Sequence, residues 1–489
     1  MSLEAEFPQA YKALDSDDHL PIEHILELER AFLTRGSSSS SSVLAGIDSG
    51  SSDADFDVLI AGGGLSLLYS IKLAQLGFSV AVADKGRAGR GHREWNISRE
   101  ELKSLEVSSI FDCSDVEAFI DHRYERGLVR WHGGRTHWVK GVLDCAVDAD
   151  AFLAALRKRA EELGVTFLDR HRCEKVFSLP ANKGLSVSLQ PADGGSAETR
   201  IRCRLLLDGR GASSPYGNFD IVCPTVGGVM KGLEHDSTVG EILVSTEDVV
   251  DGRQHIWESF PLSGERLTTY LFYYCQPDSL AATRHPLLAL YNRFFQELGN
   301  YKQGEASLVR ATYGFIPGNT RLCSSDLSPA DRIYLLGDAA ARHSPLTFCG
   351  FGNLIRSFST IGEGLADLLR EDRLDRALLS RVNCEQEGLR VMGGLALMMI
   401  GDRLGLDEDP HLINALLDDA FAALSARGED IYRDFMQDRI RFQQFLPYML
   451  SVARSRPTVW QEVFRRMSAS ELFDYGKQIV GFMGKDLFI

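Results

Sequence analysis

Four segments of the chain are mainly apolar runs, with Asp57, Ser79, Arg202 and Arg204 as the polar exceptions, that stop at glycine or at an acid. Residues 57–61 stop at Gly62-Gly63-Gly64, residues 78–83 stop at Asp84, residues 201–207 stop at Asp208-Gly209, and residues 333–336 stop at Gly337-Asp338. Runs of this kind predict strands buried on both faces, as in a parallel sheet. Residues 65–76 carry apolar positions at helical spacing, and so do residues 149–163, where Asp148 is a cap and Phe152, Leu153, Leu156 and Ala160 share one face. Between Gly217 and Arg321 the pattern becomes alternating and β-rich, especially at residues 241–244, 254–260 and 267–274, broken by one helix near 286–298. That alternation predicts an antiparallel sheet with one face on a pocket. After Gly350 the pattern is almost wholly helical.

The first two runs and the helix between them read as a βαβ dinucleotide unit. Gly62 makes the tight turn, Gly63 continues it, Gly64 lets the backbone approach a pyrophosphate, and Asp84 stands where an acid accepts from an adenosine ribose. Leu67 occupies the place of the small third residue, so a glycine there is expected to be tolerated. In the distant segment, Gly337 turns the chain so that Asp338 can accept from ribityl hydroxyls. Gly350 and Gly352 bring backbone N–H groups to a helix start, where the positive end of the dipole suits an anion, and Asn353 adds an amide. The pairing of the two segments predicts FAD binding. Asp208 ends a further strand in Asp-Gly, as near the pyrophosphate and nicotinamide nucleotide in flavoproteins of the aromatic-hydroxylase type, and reads equally well as an ordinary strand and turn.

Longer motifs carry a resemblance. Residues 93–102 (Arg93-Glu94-Trp95-Asn96-Ile97-Ser98-Arg99-Glu100-Glu101-Leu102), residues 257–261, residues 268–274 and residues 343–352 resemble the CruA/CruP-type lycopene cyclases, over about 56–369 of the chain. The resemblance implies an FAD enzyme supplied by NADPH that closes β-ionone rings on linear carotenes without net redox change. It also implies cofactor contacts from Arg93, Pro345 and Phe351, with Phe348 and Cys349 near the flavin. The partner is then a hydrophobic carotenoid, and a plastid becomes one candidate compartment. The CruP branch is less secure in its activity.

These readings give an α/β fold class: a Rossmann-like FAD-binding domain, an antiparallel β-rich substrate domain and a C-terminal helical region. The expected boundaries are a largely flexible extension (1–54), a discontinuous FAD domain (55–215 and 324–370), a substrate domain (216–323) and a helical cap (371–489). The extension is acidic and holds a serine run from Ser37 to Ser42, which reads as a flexible linker. Ahead of it, residues 21–33 predict an amphipathic helix with Ile22, Ile25, Leu26 and Phe32 on its docking face.

Composition narrows the function classes. With 489 residues, 44% hydrophobic and 25% charged, the chain is an ordinary globular protein of two or three domains. A net charge of −15 argues against nucleic acid and against general adsorption to anionic lipid, so a peripheral membrane contact would need an apolar patch. The stretch 391–401 is too short to span a bilayer and reads as a core helix, with an interfacial helix or substrate tunnel as alternatives. The nine cysteines and twelve histidines show no metal spacing, and no metal is expected. The amino-terminal composition fits neither a transit peptide nor a secretory signal, which leaves plastid and cytoplasm both open.

Protonating a polyene requires an acid, an electron-rich surface and exclusion of water. Glu258, in a strand between Trp257 and Phe260, is the first candidate acid, and Glu94 the second. The alternatives are a solvated strand face for Glu258 and an ion pair with nearby arginines for Glu94. Beside the cyclase stand two other functions: a monooxygenase or prenyl-chain reductase using the same cofactors, and a non-catalytic flavin- or carotenoid-binding protein.

Overall fold

The structure, a computed structural model, describes residues 2–14, 21–34, 43–50, 53–91, 93–195, 197–320, 327–341, 346–347, 349–382, 387–405 and 408–486. It is an α/β fold with two large sheets. Across the first, the strands run Thr166–Asp169, Val80–Asp84, Phe56–Ala61, Thr199–Asp208, Leu185–Pro191 and His171–Ser178, and Ile333–Leu335 pairs with Thr199–Asp208. The long central strand changes partners along its length. Its first half runs antiparallel to Leu185–Pro191, while Leu206, Leu207 and Asp208 run parallel to Ile333, Tyr334 and Leu335. On its other side Ala61 lies beside Asp208. Val58, Ile60, Val82, Leu205 and Leu207 are fully buried, as strands covered on both faces require. The carboxyl ends of the parallel strands therefore meet on one edge, where open α/β sheets place their ligands.

The helix after the glycine turn, Leu67–Gln75, is seated differently from expectation. Leu67 is fully buried in the same core as Val58, Ile60 and Val82. The helix gains its packing by inserting a leucine, where a small residue would let it approach more closely.

The second sheet has the order Gly304–Gly318, Ile221–Leu233, Arg266–Phe272, Ile256–Leu262, Val239–Val244, Arg126–Arg130 and Thr136–Val139. Its last two strands come from the region assigned above to the cofactor domain; Arg126–Arg130 joins through a parallel pairing to Val239–Val244. Helix Pro286–Tyr301 covers one face, where Trp257 stacks on Tyr301 with centroids 4.6 Å apart. The opposite face looks towards the first sheet. A small third sheet pairs Trp95–Ile97, Cys145–Val147 and Ile120–Arg123, its strands interleaved in sequence with Arg126–Arg130 and Thr136–Val139 of the second sheet.

The amino-terminal extension, expected to be largely flexible, contains three helices, Leu3–Glu6, Pro8–Leu14 and Pro21–Thr34. Phe7, Ala10, Leu14 and Ile25 are buried against the second sheet's helix, and Phe32 stacks on Phe315 at 4.1 Å. Buried Glu29 accepts from Leu287 N–H (2.7 Å) and Leu288 N–H (3.1 Å), capping the start of helix Pro286–Tyr301 with its carboxyl group. Apolar anchors and this cap fix the segment despite its acidic composition. The serine run 37–42 lies outside the described residues.

Among the described residues no helix is long and apolar enough to cross a membrane. Val391, Met392 and residues 396–400 are buried in the core of the C-terminal helices. Leu67→Gly should cost about 3–5 kcal/mol, the scale of an emptied leucine site, and should lower the denaturant midpoint accordingly. An unchanged midpoint would show that the turn repacks around the smaller residue.

Candidate functional site

The glycine turn separates three tasks. Gly62 has φ +101°, and a Cβ on it would lie 2.6 Å from Gly209 O; a Cβ on Gly63 would collide with Ala88. These two positions are glycine because neighbouring chain crowds them. At Gly64 a Cβ would meet nothing within 4 Å. Gly62 N–H donates to Ala83 O (2.8 Å) and Gly63 N–H to Asp84 Oδ2 (2.7 Å), whereas no acceptor among the described residues takes the N–H of Gly64 or Leu65. Asp84 Oδ1 also accepts from Gly86 N–H (2.7 Å). A carboxylate offers about four acceptor positions, so Asp84 braces the turn and retains acceptor capacity.

Asp208 departs from its expected cofactor role. It is fully buried; Oδ1 accepts from Arg210 N–H and Nε, both at 3.0 Å, and Oδ2 from Arg210 Nη2 and Ser214 Oγ, both at 2.7 Å. Its acceptor positions are consumed by its own turn. Gly337, with φ +52°, presents half-exposed Asp338 on the same edge, 4.0 Å from Arg93. Arg93 in turn rests against Gly314, where a Cβ would strike the guanidinium.

Helix Gly350–Arg370 begins beside this edge, and Gly350, Phe351 and Asn353 line the adjoining cavity. Gly352 does not. A Cβ there would run into the buried carboxylate of Glu101, which ion-pairs with Arg356, so this glycine serves close helix packing and not cofactor approach. Phe351 lies 5.0 Å from Trp95 between ring centroids. Cys349 is buried, donates to Met436 O at 2.8 Å, and burial pushes its thiol well up, so it is no thiolate nucleophile. Pro345 and Phe348 lie outside the described residues.

A cavity of about 360 Å³ runs from Ser66, Gly209 and Asp338 to the second sheet. There Glu258 faces the cavity, while its neighbours Trp257 and Ser259 face the covering helix, where Ser259 meets Tyr301 Oη at 2.9 Å. The solvated strand face considered from sequence is thus an interior wall. Glu258 is half-buried at this wall, and desolvation raises its pKa to about 7 against the opposing hydrogen bond from Asn96 Nδ2 (2.8 Å). Directly across the strands from it, Tyr270 Oη donates to Glu94 O (2.9 Å).

Glu94, the second candidate acid, is buried and ion-paired with Arg310, which also binds Asp150 at 2.9 Å. Its carboxylate is committed to that pair, which makes it a poor proton donor. Asn96, Tyr270 and Arg310 received no role from sequence. Asn96 and Tyr270 lay inside quoted motifs, but their partners are distant in the chain.

No protein-family model and no curated protein matches this chain. Solved structures share its fold. A geranylgeranyl bacteriochlorophyll reductase-like protein from Thermoplasma acidophilum is 14% identical over 86% of this chain and 100% of its own, with a TM-score of 0.54. The halogenase PltM, solved with phloroglucinol and FAD, is 13% identical over 88% of this chain and 91% of its own (TM-score 0.55). A flavoprotein/dehydrogenase from Cytophaga hutchinsonii is 14% identical over 82% and 99% (TM-score 0.53). The chain has the fold of these flavoproteins.

Proposed function

We propose that the protein is an FAD-dependent enzyme that protonates a carbon–carbon double bond of a long apolar substrate, with Glu258 as proton donor. The observation that carries this reading is a carboxylic acid, raised to about 7, in a cavity continuous with a dinucleotide-type sheet edge. FAD fits the residues of that edge. Asp84 keeps acceptor positions for the adenosine ribose, the Gly64 and Leu65 N–H groups suit the pyrophosphate, Asp338 suits ribityl hydroxyls, and the start of helix Gly350–Arg370 with Asn353 suits the ring. Reduced flavin bound there would supply a hydride or, retaining it, a negative field. NADPH is the proposed electron source, without Asp208 as its partner.

The residues of the chain divide the remaining work. Asn96 orients the Glu258 carboxyl, which delivers its proton to one alkene carbon; the π pair forms the new C–H bond, the other carbon of the former double bond becomes cationic, and Glu258 is left as carboxylate. Ile242, Leu243, Phe272, Ile316 and Leu389 line the cavity and keep water from that centre. Saturating a prenyl-type chain is the reading favoured by the likeness to the reductase-like protein. Ring closure on a linear carotene is the second reading, favoured by the lycopene cyclase-like motif around Glu258.

Mass spectrometry separates them. Protein loaded with FAD and reduced with dithionite, offered geranylgeranyl diphosphate or lycopene, should add two hydrogens to the prenyl chain; an unchanged mass with a shifted carotene absorbance would favour ring closure. Turnover of neither contradicts the substrate class.

Gly64→Val should weaken FAD binding by roughly 2 kcal/mol or more, through loss of a charge-assisted hydrogen bond to phosphate. The apo-protein's melting temperature should hold, because the added side chain meets open space. Normal flavin content would remove this turn from the phosphate. Glu258→Gln should lower product formation at least about a hundredfold with flavin content intact. In the parent, the active form is the protonated acid, so kcat/KM should be level below pH about 7 and fall about tenfold per unit above it. A flat profile, or a parental rate in the variant, would exclude Glu258 as the donor.

A further inference from the structure

Seven of the eleven exposed large apolar side chains among the described residues stand on the last three helices, which concentrates them in one part of the molecule. Leu446 and Leu450 lie four residues apart on Phe442–Ser455, Trp460 and Phe464 four apart on Val459–Arg466, and Phe473 and Val480 seven apart on Ala469–Asp486, with Met483 beyond. Each spacing makes a stripe along one helix face. The stripes are not the faces that hold the helices together. Phe445, Val452, Val459 and Phe482 are buried for that purpose, with Phe442 and Phe482 ring centroids 5.5 Å apart.

Charge is sorted in the same way. Arg454, Arg465 and Lys477 are exposed among the apolar stripes, and Lys477 Nζ lies 4.2 Å from the Phe473 ring centroid. Two of the acids turn inward, Glu462 pairing with Arg456 at 2.8 Å and Glu471 with Arg403 at 2.7 Å, and Asp474 is half-buried, so the three exposed cations outnumber the acid that reaches the stripes. A chain of net charge −15 thus presents a cationic, aromatic-rich apolar surface at its carboxyl-terminal helices. Aromatic and aliphatic side chains that enter the headgroup layer, with arginine and lysine heads reaching lipid phosphate, have this composition. The buried stretch at 391–400 is not part of it.

We infer that the outward faces of these three helices dock the protein, without spanning, on an anionic lipid bilayer. The inference does not depend on the reaction. Its test is flotation of the full-length protein with vesicles of phosphatidylcholine alone or of equal parts phosphatidylcholine and phosphatidylglycerol, with the mass in solution measured by light scattering. The protein should be monomeric and should bind the anionic vesicles roughly a hundredfold more tightly, the scale of three cations at a charged surface. Phe464→Ser combined with Phe473→Ser should weaken binding to both vesicles at least tenfold, and Arg465→Glu combined with Lys477→Glu should abolish the anionic preference; both variants should keep the parental melting temperature. Absence of vesicle binding by the parent, parental binding by the serine variant, or a dimer that the serine variant splits would each overturn the inference, the last by assigning the surface to a second copy.

Discussion

The geometry of the site depends on how one buried carboxylate is satisfied. Asp208 ends the central strand with no exposure to water, and an uncompensated charge at that depth would be prohibitive. Arg210 folds back to give it a two-pronged pair, Ser214 adds a hydroxyl, and Arg210 Nη1 continues to Cys173 O at 2.9 Å. This closed network fixes the turn carrying Gly209, against which Gly62 is pressed. The turn next to it carries Asp338, since Leu336 N–H bonds Asp208 O at 2.8 Å. Three strand ends are thereby held in one register, and the half-exposed positions among them, at Gly64, Asp84 and Asp338, become a prearranged edge.

Glu258 illustrates the opposite use of burial. Among the described residues its one hydrogen-bond partner is the Asn96 amide and no arginine or lysine pairs with it, so desolvation outweighs hydrogen bonding and favours the neutral acid. Glu94 is also buried, yet it pairs with Arg310. Of the two carboxyl groups near one cavity, Glu94 thus has a cationic partner and serves structure, while Glu258 has none among the described residues and is suited to proton donation.

Much of this was legible along the chain, because mainly apolar runs ending at glycine or acid have few structural solutions. The strands of the first sheet and the glycine turn follow from local pattern, and alternation sets Glu258 opposite Trp257 and Ser259, but which of the two faces borders the cavity is decided by the packing of helix Pro286–Tyr301. What sequence missed depends on distant partners. Gly352 has the spacing of a cofactor glycine, but the direction of its missing Cβ, towards Glu101, is set by tertiary packing. The pairing of Glu94 with Arg310 joins residues more than two hundred positions apart. Leu67 broke a rule whose purpose, close helix packing, the fold meets by another route. The amino-terminal helices dock through a few apolar anchors that acidic composition obscured.

The central claim is that Glu258 is a carboxylic acid held neutral near physiological pH inside the cavity. Infrared difference spectroscopy between the parent and Glu258→Gln, followed across pH, observes that proton directly. The expected result is a protonated-carboxyl carbonyl band, present in the parent and missing from the variant, that disappears with a midpoint near 7. A Glu258 that is already ionised at pH about 5, close to an ordinary glutamate, would contradict the account.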